Sequence, residues 1–86
     1  MTEEKKLVGE VSHYFTKIGV AVIEVMDKIS VGDELSIEGA STNFKQKIKS
    51  MQIEHKEIKE AKKGDSIGMK TDDRVREGDK VYKILK

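Results

Sequence analysis

The sequence predicts an all-β domain, a small closed six-stranded barrel of Greek-key-like type. Three observations carry that expectation. Six short β-prone runs, separated by Gly-containing turns, recur at roughly ten-residue spacing, as in small barrels. One motif, a small or apolar residue, two spacers, Gly-Asp and a β-rich run, is written three times: "ISVGDELSI", "AKKGDSIGM" and "VREGDKVYKI". A chain of 86 residues makes one domain at most. An open sheet of that size would leave long unpaired edges, which closure removes.

The first run is "KLVGEVSHYF", Lys6 to Phe15, rich in β-branched and aromatic residues, with Gly9 a candidate bulge or point of close approach. "FTKIG" supplies a turn. "VAVIEV", Val20 to Val25, is a continuous apolar run that suits a buried strand. "ELSIEG" alternates, with Leu35 and Ile37 expected inward. "SIGMK" (Ser66 to Lys70) and "KVYKIL" (Lys80 to Leu85) complete the clear strands. The segment from Phe44 to Ala61 is ambiguous. Phe44, Ile48, Met51, His55 and Ile58 fall at helical spacing, and pattern alone favours an amphipathic helix. Read in twos, Lys45, Lys47 and Lys49 face opposite to Phe44, Gln46 and Ile48, but Met51 and Ile53 then fall on the Lys face. A strand therefore needs a parity break near Ser50.

The repeated motif has a physical reading. Gly32, Gly64 and Gly78 can take positive φ without steric cost. Asp33, Asp65 and Asp79 can hydrogen-bond nearby backbone N–H groups and hold each turn. Ile29, Ala61 and Val75, three residues before each Gly, are placed to plug the barrel end. In the third copy Lys83 stands where an apolar residue is expected.

Composition narrows the function classes. Charged residues are 38% and apolar residues 36%, with the apolar ones clustered in runs rather than dispersed as in disordered chains. There is no Cys, so neither a disulfide framework nor a thiolate metal site can form, which suits a reducing, cytoplasmic setting. No apolar run approaches the roughly 20 residues of a membrane span. Residues 1–5 are expected to form a frayed tail, and residues 6–86 the barrel domain. Charge is uneven: residues 1–44 hold 4 Lys against 8 Asp/Glu, a net of −4, and residues 45–86 hold 13 Lys/Arg against 8 Asp/Glu, a net of +5. The second half could present a basic face.

The stretches "KIGVAVIEVMDKISVGDELSIEG", "IKSMQIEHKEIKEAKKGDSIGMK" and "VREGDKVYKI" resemble the second, β-barrel domain of translational GTPases such as elongation factor Tu, and the stand-alone proteins called translation elongation factor-like. They are also similar to the C-terminal barrel of the collagenase-like peptidase family, whose members include RNA-hydroxylation factors. The matching positions are the turn at Val31, Gly32 and Asp33, the strand segment Ile48 to Ile53, the turn-and-strand Ala61 to Gly68, and the closing turn Val75 to Val81. The resemblance covers roughly residues 7–85. It implies a barrel of the translation-protein type and makes Lys45 to Ile53 a strand, with a bulge near Ser50. It also implies, by analogy alone, that tRNA or rRNA is a candidate partner.

No Gly-x-x-x-x-Gly-Lys-Ser/Thr loop is present, so no nucleotide is expected to bind. His13 and His55 are the only imidazoles, 41 residues apart in the intervening chain, and no metal, cofactor or catalytic constellation is expected around them. Lys45, Lys47 and Lys49, about 7 Å apart along a strand, match the phosphate spacing of an extended nucleic-acid strand. Lys56 and Lys59 add charge to the same half. The bland alternative is a solvated face that discourages edge pairing. The sequence thus points to a non-catalytic binding module associated with translation or RNA modification. The alternative is a protein–protein adaptor that docks on a larger enzyme through an apolar barrel edge.

Overall fold

A computed structural model describes residues 4–40, 42–54 and 56–85. Ten strands and no helix make up its regular structure: β1 Glu4–Phe15, β2 Val20–Val25, β3 Ile29–Ser30, β4 Glu34–Glu38, β5 Asn43–Lys47, β6 Met51–Ile53, β7 Lys56–Ile58, β8 Glu60–Ala61, β9 Ser66–Lys70 and β10 Lys80–Leu85. Six of them have five or more residues. Eight form one antiparallel sheet in the order β5-β4-β10-β1-β2-β9-β6-β7, and β3 pairs with β8 in a second ladder. Glu4 and Lys5, expected in a frayed tail, are ladder residues opposite Leu85 and Ile84 of β10.

β1 is the organising strand. Its first half pairs with β10 and its second half with β2. Register shifts between Leu7 and Gly9, and again between Val11 and His13, break the simple alternation. Val8 and Val11, three residues apart, both reach the core as a result. Gly9 sits where the two ladders overlap. A Cβ there would lie 2.7 Å from Ile23 Cγ2 and 3.0 Å from the Glu24 carbonyl oxygen, so only glycine lets β1 pass this close to β2.

The core is a continuous apolar cluster. Ala21, Ile23, Leu35, Ile37, Met51, Ile67, Met69 and Val81 come from five strands and are fully buried. Burying aliphatic side chains of this size is the main favourable term in folding, at about 25 cal/mol per Å² removed from water.

The expected closed barrel is not what the hydrogen bonds make. β5 and β7 end the sheet, and no ladder joins them. Ile48 supplies the reason. Its N–H donates to the Asp33 carbonyl and its carbonyl accepts from Gly32 N–H, both at 2.9 Å. The backbone that would have continued toward closure is thereby spent on the first Gly-Asp turn. A side chain ties β5 to the end of β9 instead. Gln46, buried on β5, donates from Nε2 to the Lys70 carbonyl at 3.1 Å and accepts from Asp72 N–H through Oε1 at 2.7 Å. The expected single strand from Lys45 to Ile53 with a bulge is likewise two strands, β5 and β6, separated by a corner at residues 48–50.

The three motif copies fold alike. Gly32, Gly64 and Gly78 take φ of 98°, 97° and 92°. Each following Asp donates its N–H to the carbonyl three residues back: Asp33 to Ser30 at 3.0 Å, Asp65 to Lys62 at 3.0 Å and Asp79 to Arg76 at 3.1 Å. Each carboxylate Oδ2 accepts the N–H of that same residue, at 2.8, 3.0 and 2.8 Å. A positive φ at the third position is what a type II turn demands, and the side chain fastens the turn from the other side. Ile29, Ala61 and Val75 are all buried. Lys83 at the odd position of the third copy is half-buried and pairs with Asp33 at 3.3 Å.

Two carboxylates are held below their ordinary pKa. For Glu38 the causes are hydrogen bonds from Lys5 and then Ser36. For Asp27 they are the Lys6 ammonium and the Lys28 backbone N–H. The Lys5 ammonium lies 5.1 Å from the Tyr82 ring centroid, so the Lys5–Glu38 pair spans β10 from β1 to β4. A lowered folded pKa adds stability that is complete above the unfolded pKa and fades as pH falls through the folded one. Melting temperature should therefore drop as pH is lowered below about 4. Glu38→Gln should be less stable than the wild type at pH 7 and show a shallower acid decline. Parallel Tm-against-pH curves for the two would refute the assignment.

Candidate functional site

Lys45, Lys47 and Lys49 are exposed, but they are not an isolated cationic comb. Lys47 stands opposite Glu34 and Lys45 opposite Ser36 in the β4–β5 ladder. Lys49, beyond the end of β5, lies 3.7 Å from Asp72. Lys56 and Lys59 belong to a different place. Lys56 opens β7, at the other end of the sheet order, and Lys59 follows it, with its carbonyl accepting Val31 N–H. The structure thus divides the five candidate lysines between the two edges of the sheet.

His13 lies in β1 with Nδ1 2.9 Å from Glu77 and its ring 4.5 Å from that of Phe15. His55 lies outside the described residues. The Ser12 hydroxyl donates to the Val22 carbonyl at 3.2 Å and so serves the second β1 bulge. Among the described residues no three His, Asp or Glu side chains gather as metal ligands. No helix among them is long and apolar enough to cross a membrane.

Two other surfaces stand out. The first is the β1–β2 hairpin tip. Phe15 is 46% exposed and Ile18 61%. With Tyr14, Thr16 and Lys17 they line a shallow groove of about 300 Å³. The tip is fixed by Gly19, with φ of 67°, whose N–H donates to the Phe15 carbonyl at 2.9 Å and whose carbonyl accepts from Thr71 N–H at 2.9 Å. A rigid turn that holds two large apolar side chains in water is a feature of contact surfaces. The edge strands, in contrast, are mostly polar: β5 reads NFKQK and β7 reads KEI. An apolar docking surface was expected at a barrel edge, and the exposed apolar groups sit at a hairpin tip instead. The sequence did carry a signal, since Ile18 is an apolar residue inside the turn "FTKIG".

The second is a cleft of about 220 Å³ between the start of β5 and the loop before β10. Thr42, Asn43, Phe44, Asp73, Arg74 and Arg76 line it. In the sequence the two arginines show only as residues flanking Val75, the expected barrel plug.

The chain matches the model of the peptidase family U32 C-terminal domain over residues 3–81. It is 42% identical over 76 residues to an uncharacterized protease of Methanocaldococcus jannaschii, covering 87% of this chain and 19% of that protein. It is 33% identical over 87 residues to a collagenase of Porphyromonas gingivalis, covering 99% of this chain and 24% of that one. Two crystal structures of the C-terminal domain of a Geobacillus thermoleovorans U32-family protein superimpose with TM-scores of 0.84 and 0.85, at 22% identity. They cover 88% and 91% of this chain, and 96% and 91% of theirs. The chain spans a fifth to a quarter of the length of the curated relatives it matches. These matches carry the collagenase-like resemblance and lend no support to the elongation-factor one. By its sequence the chain belongs to the peptidase family U32 C-terminal domain family.

Proposed function

We propose that this chain is a non-catalytic accessory domain that docks on the larger body of a U32-family enzyme through its β1–β2 hairpin tip. One observation carries the reading: the family match takes in nearly the whole chain, yet the chain equals only a fifth to a quarter of its relatives. The remaining length in those relatives is the surface such a domain has to meet. Phe15 and Ile18 are the most exposed large apolar side chains among the described residues, which suits them as contacts. The competing reading, RNA backbone contact through Lys45, Lys47 and Lys49, is weakened by Glu34 and Asp72, which offset two of the three ammonium charges.

The experiment is a binding titration against a U32-family protein from which its own C-terminal domain has been removed. A complex is expected whose affinity changes little between about 50 and 300 mM salt, because apolar contacts are not screened. Ile18→Ser and Phe15→Ser should each weaken it by roughly tenfold or more. No complex, or one indifferent to both substitutions, would end the docking reading. A parallel titration with tRNA and rRNA fragments tests the alternative. Binding that collapses with rising salt and depends on the three lysines would put RNA contact in its place.

A further inference from the structure

The chain has only two arginines, Arg74 and Arg76, and both line the same cleft. Val75 between them is buried, and both arginines are exposed. Their backbone is fastened at several points. Arg74 N–H donates to Asp73 Oδ1 at 2.7 Å and Arg76 N–H to Asp79 Oδ2 at 2.8 Å, while Asp72 N–H is held by Gln46. Phe44 faces them from the start of β5, half-buried against the core and giving the cleft a flat apolar wall. Thr42 and Asn43 complete the lining with polar groups.

Among the described residues neither guanidinium has an ion-pair partner, whereas many of the lysines do: Lys49 with Asp72, Lys80 with Glu10, Lys83 with Asp33 and Lys28 with Glu60. A guanidinium is always charged, sheds water more readily than an ammonium, and presents a planar fork that fits tetrahedral and planar oxyanions bidentately. Two unspent forks beside an aromatic wall form a recognisable constellation. The geometry points to a binding site for a phosphoryl oxyanion carried on a small flat group, with Arg74 and Arg76 holding the oxygens and Phe44 supporting the group. Asp73 is the one carboxylate in the lining, and it tempers the cleft's affinity for an anion. The site shares no residue with the hairpin tip, so it stands or falls independently of the docking reading.

The test titrates the intact chain, followed by amide and arginine side-chain NMR, with phenyl phosphate, inorganic phosphate and acetate at low salt. Shifts should concentrate on residues 42–44 and 73–76. Phenyl phosphate should bind several-fold more tightly than inorganic phosphate, and acetate more weakly than either. Arg74→Gln and Arg76→Gln change exposed side chains, so the folded spectrum should persist while phenyl phosphate affinity falls by roughly tenfold each. Asp73→Asn keeps an acceptor for the Arg74 N–H and removes the opposing charge, so it should tighten binding. Shifts scattered over the lysines, affinity unchanged in both arginine variants, or no preference for phenyl phosphate would each overturn the assignment.

Discussion

Ile23→Ala should cost about 3–5 kcal/mol of stability. A domain of this length has roughly 4–13 kcal/mol in total, so the variant should lose a large share of its stability. Ile23 is fully buried at the middle of β2. It stands opposite Val11 of β1 and Ile67 of β9, and its Cγ2 presses on the space above Gly9. Both flanking strands are locked by ladders, so the walls cannot close over the missing atoms, and the cavity term adds to the lost burial. Ile23→Val removes one methyl and should cost only about 1 kcal/mol. Urea denaturation of the two variants checks this. An alanine variant within about 1 kcal/mol of the wild type would mean that the core collapses freely and that the Gly9 approach is not rigid.

Gly39→Ala should lose about 2–3 kcal/mol, from a single added methyl. An ideal Cβ at this position would lie 1.9 Å from Asp79 Oδ1 and 2.6 Å from its Cγ. Asp79 is only 5% exposed, and its other oxygen holds the Arg76 N–H. It can make room only by abandoning that bond and leaving a backbone donor unsatisfied. Asp79→Ala alone should cost about 1–3 kcal/mol for the same donor. The two changes share one cause, so they should not add. In an Asp79→Ala background, Gly39→Ala should be nearly harmless, giving a coupling of at least about 1 kcal/mol. Additive losses in a double-mutant cycle would show that the glycine is needed for something other than the buried carboxylate.

What could be read directly from the residues was whatever depends on neighbours in the chain. Turns at Gly32, Gly64 and Gly78 need a positive φ and a nearby carboxylate, and both are written within four residues. Strands such as Val20–Val25 and Lys80–Leu85 announce themselves by β-branched content. The segment from Phe44 to Ala61 did not, because the chain changes direction twice inside it. One corner lies at residues 48–50, and the second is at Glu54, the only non-glycine described with positive φ, at 51°. Each corner resets the two-residue alternation. Phe44, Ile48, Met51 and Ile58 then fall at intervals that mimic a helix, although they belong to or border three separate short strands. Closure was illegible for a different reason. It hangs on where Ile48 spends its backbone groups, which is decided by Gly32 and Asp33 some 15 residues earlier. The lysines could be predicted to face water, but their offsetting carboxylates, Glu34 and Asp72, come from distant segments. The same holds for the arginine cleft, whose two walls lie about 30 residues apart.

The Gln46 carboxamide also marks a seam in this molecule. Neighbouring strands in the eight-stranded sheet are joined by backbone ladders, but β5 meets the end of β9 through a polar side chain. Thermal motion that swings this amide away would let β5 part from the end of β9 while β1, β2 and β10 stay zipped. Partial unfastening along that line requires far less free energy than global unfolding.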